Sequence, residues 1–440
     1  MINALPFRLP SRGLLRDVVT TYAGFLTNAV FGFVTLRLVA THLGPWRFGL
    51  ACIANIFMAV VAGLGEPGIG TALVRLAARP EMSREAREEL TVAAVRLKLI
   101  VSVGVCGLVY LLMPWITTAF MHRPTLTPLL RCCLVGAVTL TLASFAQALF
   151  QMQGAFRENA ATIAAAGAVR AAAVVGLCWT GRLTLWTAVG AMVLMNVVQF
   201  ALCVYALRRL LFSLPWHCRA AEHLGELLGY TKCLVVWLVV GTFHPRADMM
   251  LLTHYISDNR VLGFYAAAGQ ICWVVPQLSG SVALVLLPRI SALRTHQEIN
   301  RAMSRCRVAA IVVLVLLTPL ALWGGSAVVL IFGPGYSAAI PVFRLLLLAA
   351  AVELALNPLT NFWHALNQPG MLSTLNVGRL SLLMLIAMIA IPRIGMLGAA
   401  LAVMVAAVVP LTAQGAILWV RLYRQPFPLG APADAALTKT

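Results

Sequence analysis

Apolar runs of about twenty residues recur from one end of this chain to the other, and nothing else in it constrains the fold as tightly. About 20 helical residues cross a ~30 Å hydrocarbon layer. Within that layer only a helix or a closed barrel satisfies every backbone N–H and C=O. The runs predict helices over 18–43, 49–74, 91–113, 128–150, 160–180 and 184–207, then over 230–255, 261–287, 308–332, 339–365, 371–391 and 396–420. The expected fold is all-α: a polytopic membrane protein of about twelve transmembrane helices, in two six-helix lobes around a central cavity. The first lobe would be 18–207 and the second 230–423. The segments 1–17, 208–229 and 424–440 would form the N-terminal segment, the linker between lobes and the C-terminal tail.

Charge orients these helices. Only 11% of the residues are charged and 61% are hydrophobic, against about 25% charged in a soluble domain. With both termini in the cytoplasm, 22 of the 33 Lys and Arg residues fall on the inside, Arg96 and Lys98 among them, and six fall outside. That asymmetry is the positive-inside pattern. It accounts for much of the +19 net charge and leaves no soluble module through which to bind nucleic acid. The basic segment 1–17 leads into an apolar run too long for a signal-peptide core, so that run is expected to stay as the first helix. The ten cysteines are scattered through apolar segments, with no CxxC pattern and no histidine at metal-ligand spacing. They read as buried apolar residues. Neither a metal nor a cofactor is expected.

The two halves look like copies. Gly49 and Gly263, Gly70 and Gly280, and Gly154 and Gly370 match in order at offsets of 214, 210 and 216 residues. Six-helix repeats of parallel topology commonly hold a substrate between them and rock against one another.

Several stretches resemble the polysaccharide flippases of the multidrug/oligosaccharidyl-lipid/polysaccharide exporter superfamily. They are LGPWRFG (43–49), GIGTALVRLAAR (68–79), RADMMLL with VLGFYAAAGQI (246–271), LLPRIS (286–291), FGPGYSAAIPVFRLL (332–346) and IPRIGMLGAALA (391–402). Thr41 stands where the family carries an arginine before the LGP turn, with Arg37 one turn earlier. The resemblance covers nearly the whole chain. It implies a non-enzymatic flippase in the bacterial inner membrane, working by alternating access without ATP hydrolysis. Its cargo would be an undecaprenyl-pyrophosphate-linked oligosaccharide, moved from the cytoplasmic to the periplasmic leaflet for cell-surface or exopolysaccharide assembly. The implied partners are the lipid bilayer, the lipid-linked oligosaccharide, and a polysaccharide polymerase with its export machinery.

Charges within the bilayer cost about 2.5–3.5 kcal/mol each even on the lenient insertion scale, so each needs a reason. By helical rise, Arg170 lies about 18 Å from Glu158, Asp248 about 15 Å from Asp258 and Arg379 about 13 Å from Gly370, so all three fall in the middle third of the bilayer. Arg246 sits beside Pro245, which removes a backbone donor and is expected to break the seventh helix. Glu66 and Glu353 are also deep, while Arg37 and Arg344 lie near the ends, where arginine snorkels. Five arginines against three carboxylates leave a cationic surplus that suits a pyrophosphate, because a guanidinium grips phosphate through paired donors. Arg170, Arg246 and Arg379 are thus candidate substrate contacts, with structural ion pairing as the competing role. Asp248, Glu66 and Glu353 are candidate ion-coupling carboxylates, Asp248 foremost, because the broken helix frees carbonyls for a cation. A polar face of Glu353, Asn357, Asn361 and His364 on the tenth helix has a counterpart of Thr141, Ser144, Gln147 and Gln151 on the fourth. Either face could hydrogen-bond a neighbouring helix or line a cavity for sugar hydroxyls.

Other signals carry less. Gly63, Gly65 and Gly68 spell GxGxxG, but with no preceding strand. No phosphate-binding GxxxxGK[ST] exists, and the charged run at 81–89 reads as a solvated helix face or loop. A multidrug cation exporter would share the architecture but would want an acidic cavity. A polymerase or glycosyltransferase would need a large extramembrane loop. The orientation is open to direct test: Cys218 should react with an impermeant thiol reagent only from the cytoplasm, and an Asp258→Cys variant from the periplasm. Labelling of Cys218 in intact cells would reverse the assignment.

Overall fold

The computed structural model describes residues 12–79, 82–217, 221–276, 290, 296–365 and 369–424, and among these every regular element is helical. They are α1 (Arg12–Leu64), α2 (Ile69–Ala77), α3 (Arg84–Trp115), α4 (Thr127–Gln153), α5 (Phe156–Trp179), α6 (Leu185–Ser213) and α7 (Ala221–Phe243), followed by α8 (Ala247–Tyr255), α9 (Asn259–Cys272), α10 (His296–Trp323), α11 (Ser326–Phe332), α12 (Ile340–Ala365), α13 (Pro369–Ile394) and α14 (Met396–Arg424). Nine described helices are long and apolar enough to cross a membrane. The first of these contributes 39 residues, Leu26–Leu64, about 58 Å of helix and therefore enough for two crossings. It divides at Gly44, whose φ of 67° is not helical, with Pro45 opening the second arm. The chain is a multi-pass membrane protein.

Helix ends follow from local chemistry. Ser83 caps α3 by accepting a hydrogen bond from Ala86 N at 3.1 Å, which draws the charged run 84–89 into the helix rather than a loop. A reciprocal pair, Thr184 and Thr187, caps α6, and Asp258 accepts from Arg260 N at 2.8 Å ahead of α9. These side chains satisfy N–H groups that the first turn of a helix leaves free. The expected second helix is interrupted at 65–68, where Gly68 takes φ 94° before α2 begins. The expected seventh helix is interrupted at His244–Arg246, around Pro245, and resumes as α8. α7 itself starts nine residues earlier than the apolar run suggests, at Ala221.

The chain packs as two compact units, Met1–Phe243 and His244–Thr440. In the first, α1 lies along α5, α4 and α6 pack together, α5 packs on α6 and α3 on α4. In the second, α12 pairs with α14, α13 with α14 and α10 with α12. These three repeat the α4–α6, α5–α6 and α3–α4 pairings of the first unit at repeat-equivalent positions, as expected of two copies of one plan. α7 packs against α1, α2 and α3. Arg75 donates to Tyr230 Oη at 2.6 Å, and Arg79 pairs with Glu226 at 3.0 Å.

The helices are inside-out in their amphipathy. On α3, Ile100 and Leu111 are 70% and 75% exposed, whereas Lys98 and Ser102 are fully buried. Apolar side chains on the surface and polar ones within is the arrangement that lipid favours. Without a hydrophobic force between helices, association rests on close packing, and α1 and α5 show it. A Cβ placed on Gly24 would sit 2.7 Å from Ala160 Cβ and 2.9 Å from the Ala160 carbonyl oxygen. Gly24→Val should therefore cost about 1–3 kcal/mol, read as a lowered thermal midpoint of the purified protein. An unchanged midpoint would show that this contact does not hold the helix pair.

Candidate functional site

In the first unit, the break at 65–68 delivers Glu66 to a buried polar cluster. Lys98 Nζ, from α3, donates to Glu66 Oε2, to Gly65 O at 2.9 Å and to Thr141 Oγ1 of α4 at 2.9 Å. Ser144 Oγ stands 3.1 Å from the same Glu66 oxygen and 2.8 Å from Thr141 O, its one proton shared between them. Gly70 N, at the start of α2, faces Glu66 Oε1 at 3.4 Å, and the Phe145 ring centroid lies 6.0 Å from Nζ. Four segments thus meet on one ion pair. This corrects the placement of Lys98 among the inside loop charges: it is a deep, buried cation and the partner of Glu66. The signal was its position two turns into the third apolar run, at a depth comparable to that of Glu66.

The α4 polar face grades outward from this cluster. Thr141 is buried, Ser144 and Gln147 are half-buried, and Gln151 is exposed. Thr141 and Ser144 are therefore tied to the ion pair, while Gln147 and Gln151 lie progressively closer to the surface.

Arg170, on α5, sits in a different setting. Its Nε is buried with no hydrogen-bond partner, and its Nη2 lies 3.1 Å from where a Gly32 Cβ would stand on α1. One turn away, Asn28 packs against Gly167, with its Oδ1 likewise buried and unpartnered. The backbone of α1 must come close for this geometry, and the glycines at 32 and 167 permit it.

In the second unit the candidate residues sort into pairs. Arg379 Nη2 on α13 bonds Glu353 Oε1 on α12 at 3.0 Å, and its Nε donates to Ala406 O on α14 at 3.2 Å. A candidate substrate contact and a candidate coupling carboxylate are thus held to each other, with Arg379 beside the apolar contacts of Ala247, Leu383 and Ala406. Asp248 accepts a hydrogen bond from the Tyr265 hydroxyl of α9. Arg246 occupies the position just before α8 and is half-buried. Asn357 is half-buried on α12, its Oδ1 3.4 Å from Thr360 Oγ1, whereas the side chains of Asn361 and His364 lie outside the described residues. Arg37 and Arg344 are exposed, as snorkelling anchors would be. Two residues here went unnoticed in the sequence. Tyr265 reads as one more aromatic in an apolar run. His244 stands next to Pro245 with its Nε2 buried and unpartnered, within electrostatic reach of Arg379 and Glu353. Among the described residues no cluster of His, Cys, Asp or Glu could hold a metal ion.

The fold matches solved transporter structures. The lipid II flippase MurJ in an inward closed conformation superimposes with a TM-score of 0.75 at 14% identity, over 91% of this chain and 87% of that one. An inward-facing multidrug resistance MATE family transporter of the MOP superfamily gives 0.72 at 16% identity, over 90% and 96%. A mutant of the Vibrio cholerae MATE transporter VcmN gives 0.61 at 14%, over 94% and 97%. At these identities the likeness is one of fold. No curated protein matches the chain by sequence. The family model described as polysaccharide biosynthesis protein matches residues 14–294, well over half the chain and running through both the Glu66–Lys98 cluster and Arg170. The chain belongs to the polysaccharide biosynthesis protein family.

Proposed function

We propose that this protein is a flippase for undecaprenyl-pyrophosphate-linked oligosaccharide, moving it from the cytoplasmic to the periplasmic leaflet of the bacterial inner membrane by alternating access of its two repeats. The observation that carries this reading is Arg170. A guanidinium left with an unpartnered nitrogen deep in an apolar helix pair is costly. A pyrophosphate would relieve that cost through charge-assisted hydrogen bonds, whereas an organic cation would add repulsion to it. The family supports a role in polysaccharide biosynthesis, and the MurJ-like fold supports movement of a lipid-linked cargo. In the second repeat, Arg246 is the arginine set at a helix break, while Arg379 is already engaged by Glu353. Arg246 and Arg379 remain the candidate anion contacts of the second repeat, and Asn357, Asn361, Gln147 and Gln151 remain candidates for sugar hydroxyls.

The three deep carboxylates differ in their partners. Glu66 and Glu353 each meet a cation, Lys98 and Arg379, whereas Asp248 meets a neutral hydroxyl. A carboxylate neutralised by a fixed cation has little to gain from a proton, so Asp248 is the one we assign to ion coupling. Orientation with both termini in the cytoplasm, a polymerase partner and a lobe division at 208–229 belong to the same proposal.

Reconstitution in liposomes tests both assignments. Arg170→Ala should reduce translocation of an undecaprenyl-pyrophosphate oligosaccharide by about tenfold or more, the scale of losing one charged hydrogen-bonded contact, at unchanged protein level. Arg170→Lys should restore it only in part, since a point charge cannot copy paired donors. Full activity of the alanine variant, or transport of ethidium in place of the lipid, would refute the flippase reading and favour a MATE-like exporter. Asp248→Asn should abolish any response of the transport rate to an imposed proton gradient. A persisting response would move the coupling site elsewhere.

A further inference from the structure

The buried cation of the first unit has no donor left over, and its carboxylate partner has an acceptor to spare. Lys98 commits its three N–H donors to Glu66 Oε2, Gly65 O and Thr141 Oγ1. An ammonium has no more to give. Glu66 Oε2 also shares the Ser144 hydroxyl with Thr141 O, whereas among the described residues Oε1 meets Gly70 N alone, at a long 3.4 Å. The side chain of Lys98 is 1% exposed and that of Glu66 is 25% exposed. A partly exposed glutamate side chain within the membrane is best met by water or a polar ligand rather than by hydrocarbon. Ser144 and Gln147 follow it along α4, both half-buried, and the exposed Gln151 completes the row.

The chemistry of this edge is specific. It offers a carboxylate oxygen, a hydroxyl and an amide, which together both accept and donate, and its one cation is saturated. That set does not suit a phosphate, which wants free cationic donors. It suits a polyhydroxylated ring, whose O–H groups donate to the carboxylate and accept from the amide. We propose that Glu66 Oε1, Ser144 and Gln147 form a sugar-hydroxyl subsite in the first unit, with Lys98 as the positioning residue that holds the carboxylate. The proposal rests on the flippase reading above and moves Glu66 from ion coupling to cargo recognition. Lys98 acts through Glu66: it fixes which carboxylate oxygen is used inside the protein and which is left for the ligand.

The full-length protein in liposomes, offered two probes, tests this. One is undecaprenyl pyrophosphate bearing an N-acetylglucosamine-containing disaccharide, and the other is bare undecaprenyl pyrophosphate. The reading is the ratio of their translocation rates. A site built to bond hydroxyl groups discriminates against a ligand lacking them, so the wild-type protein should favour the glycosylated probe by about tenfold or more. Gln147→Ala, and the shape-matched neutral pair Glu66→Gln with Lys98→Met, should each bring that ratio toward one. Gln147→Ala leaves the ion pair intact and so serves even where the pair substitution disturbs insertion. A purely structural cluster would instead slow both probes alike, and an unchanged ratio in both variants overturns the subsite. Loss of proton-gradient dependence in Glu66→Gln alone would also overturn it, by returning Glu66 to coupling. If the wild-type protein moves neither probe, the flippase reading itself falls, and the subsite with it.

Discussion

Hydrocarbon offers no hydrogen bond, so a polar atom carried into it must find its partner within the protein. For the backbone this means helices with capped or sheltered ends, and the described part of this chain contains no other regular structure. For side chains it means that each charge is paired, snorkels to an edge, or faces something polar that comes and goes. The places where the helices stop short, at 65–68 and at His244–Arg246, are where deep charged side chains collect. Breaking a helix frees carbonyls and turns side chains inward. The carbonyl of Gly65, which Lys98 takes as an acceptor, comes from such a break.

This constraint separates residues that look alike in the sequence. Arg379 and Arg170 are both single arginines deep in apolar helices. The first meets Glu353 and a main-chain carbonyl, and the second leaves a buried nitrogen unpartnered. Breaking a buried pair from one side is costly because it strands the other charge, so Arg379 reads first as architecture. An arginine with bonding capacity unspent reads first as a contact for something outside the chain. The carboxylates divide in the same way: Glu66 and Glu353 are matched to cations, while Asp248 shares a hydrogen bond with a phenol.

Much of the fold was legible because two strong signals act at the scale of whole helices. A run of about twenty apolar residues has little choice but to span the bilayer, and loop arginines bias its direction. The LGP turn at 44–45 and Pro245 marked two of the breaks, since left-handed or donor-less backbone interrupts a helix, whereas the break at 65–68 fell inside a run that read as one continuous helix. The candidate site was legible only as a set of residue types. Lys98 was read as a loop charge because it lies close to a cluster of inside arginines. Its partner is 32 residues away in sequence, and nothing local to either residue announces the other.

The sequence by itself therefore determined the class of solvent, most of the helix spans, the twofold repeat and a shortlist of intramembrane charges that lacked Lys98. All of these follow from hydropathy and local backbone chemistry, which act over a few residues. Only the tertiary structure decided which of those charges are spent on one another. Pairing depends on the distance between side chains on different helices, and in lipid that distance is set by close packing, such as that of Gly24 on Ala160, rather than by any pattern along one helix. Glu66 found Lys98, Glu353 found Arg379 and Asp248 found Tyr265, while Arg170 kept a buried nitrogen free, because of where α1, α3, α4, α9, α12 and α13 come to rest against their neighbours within each unit.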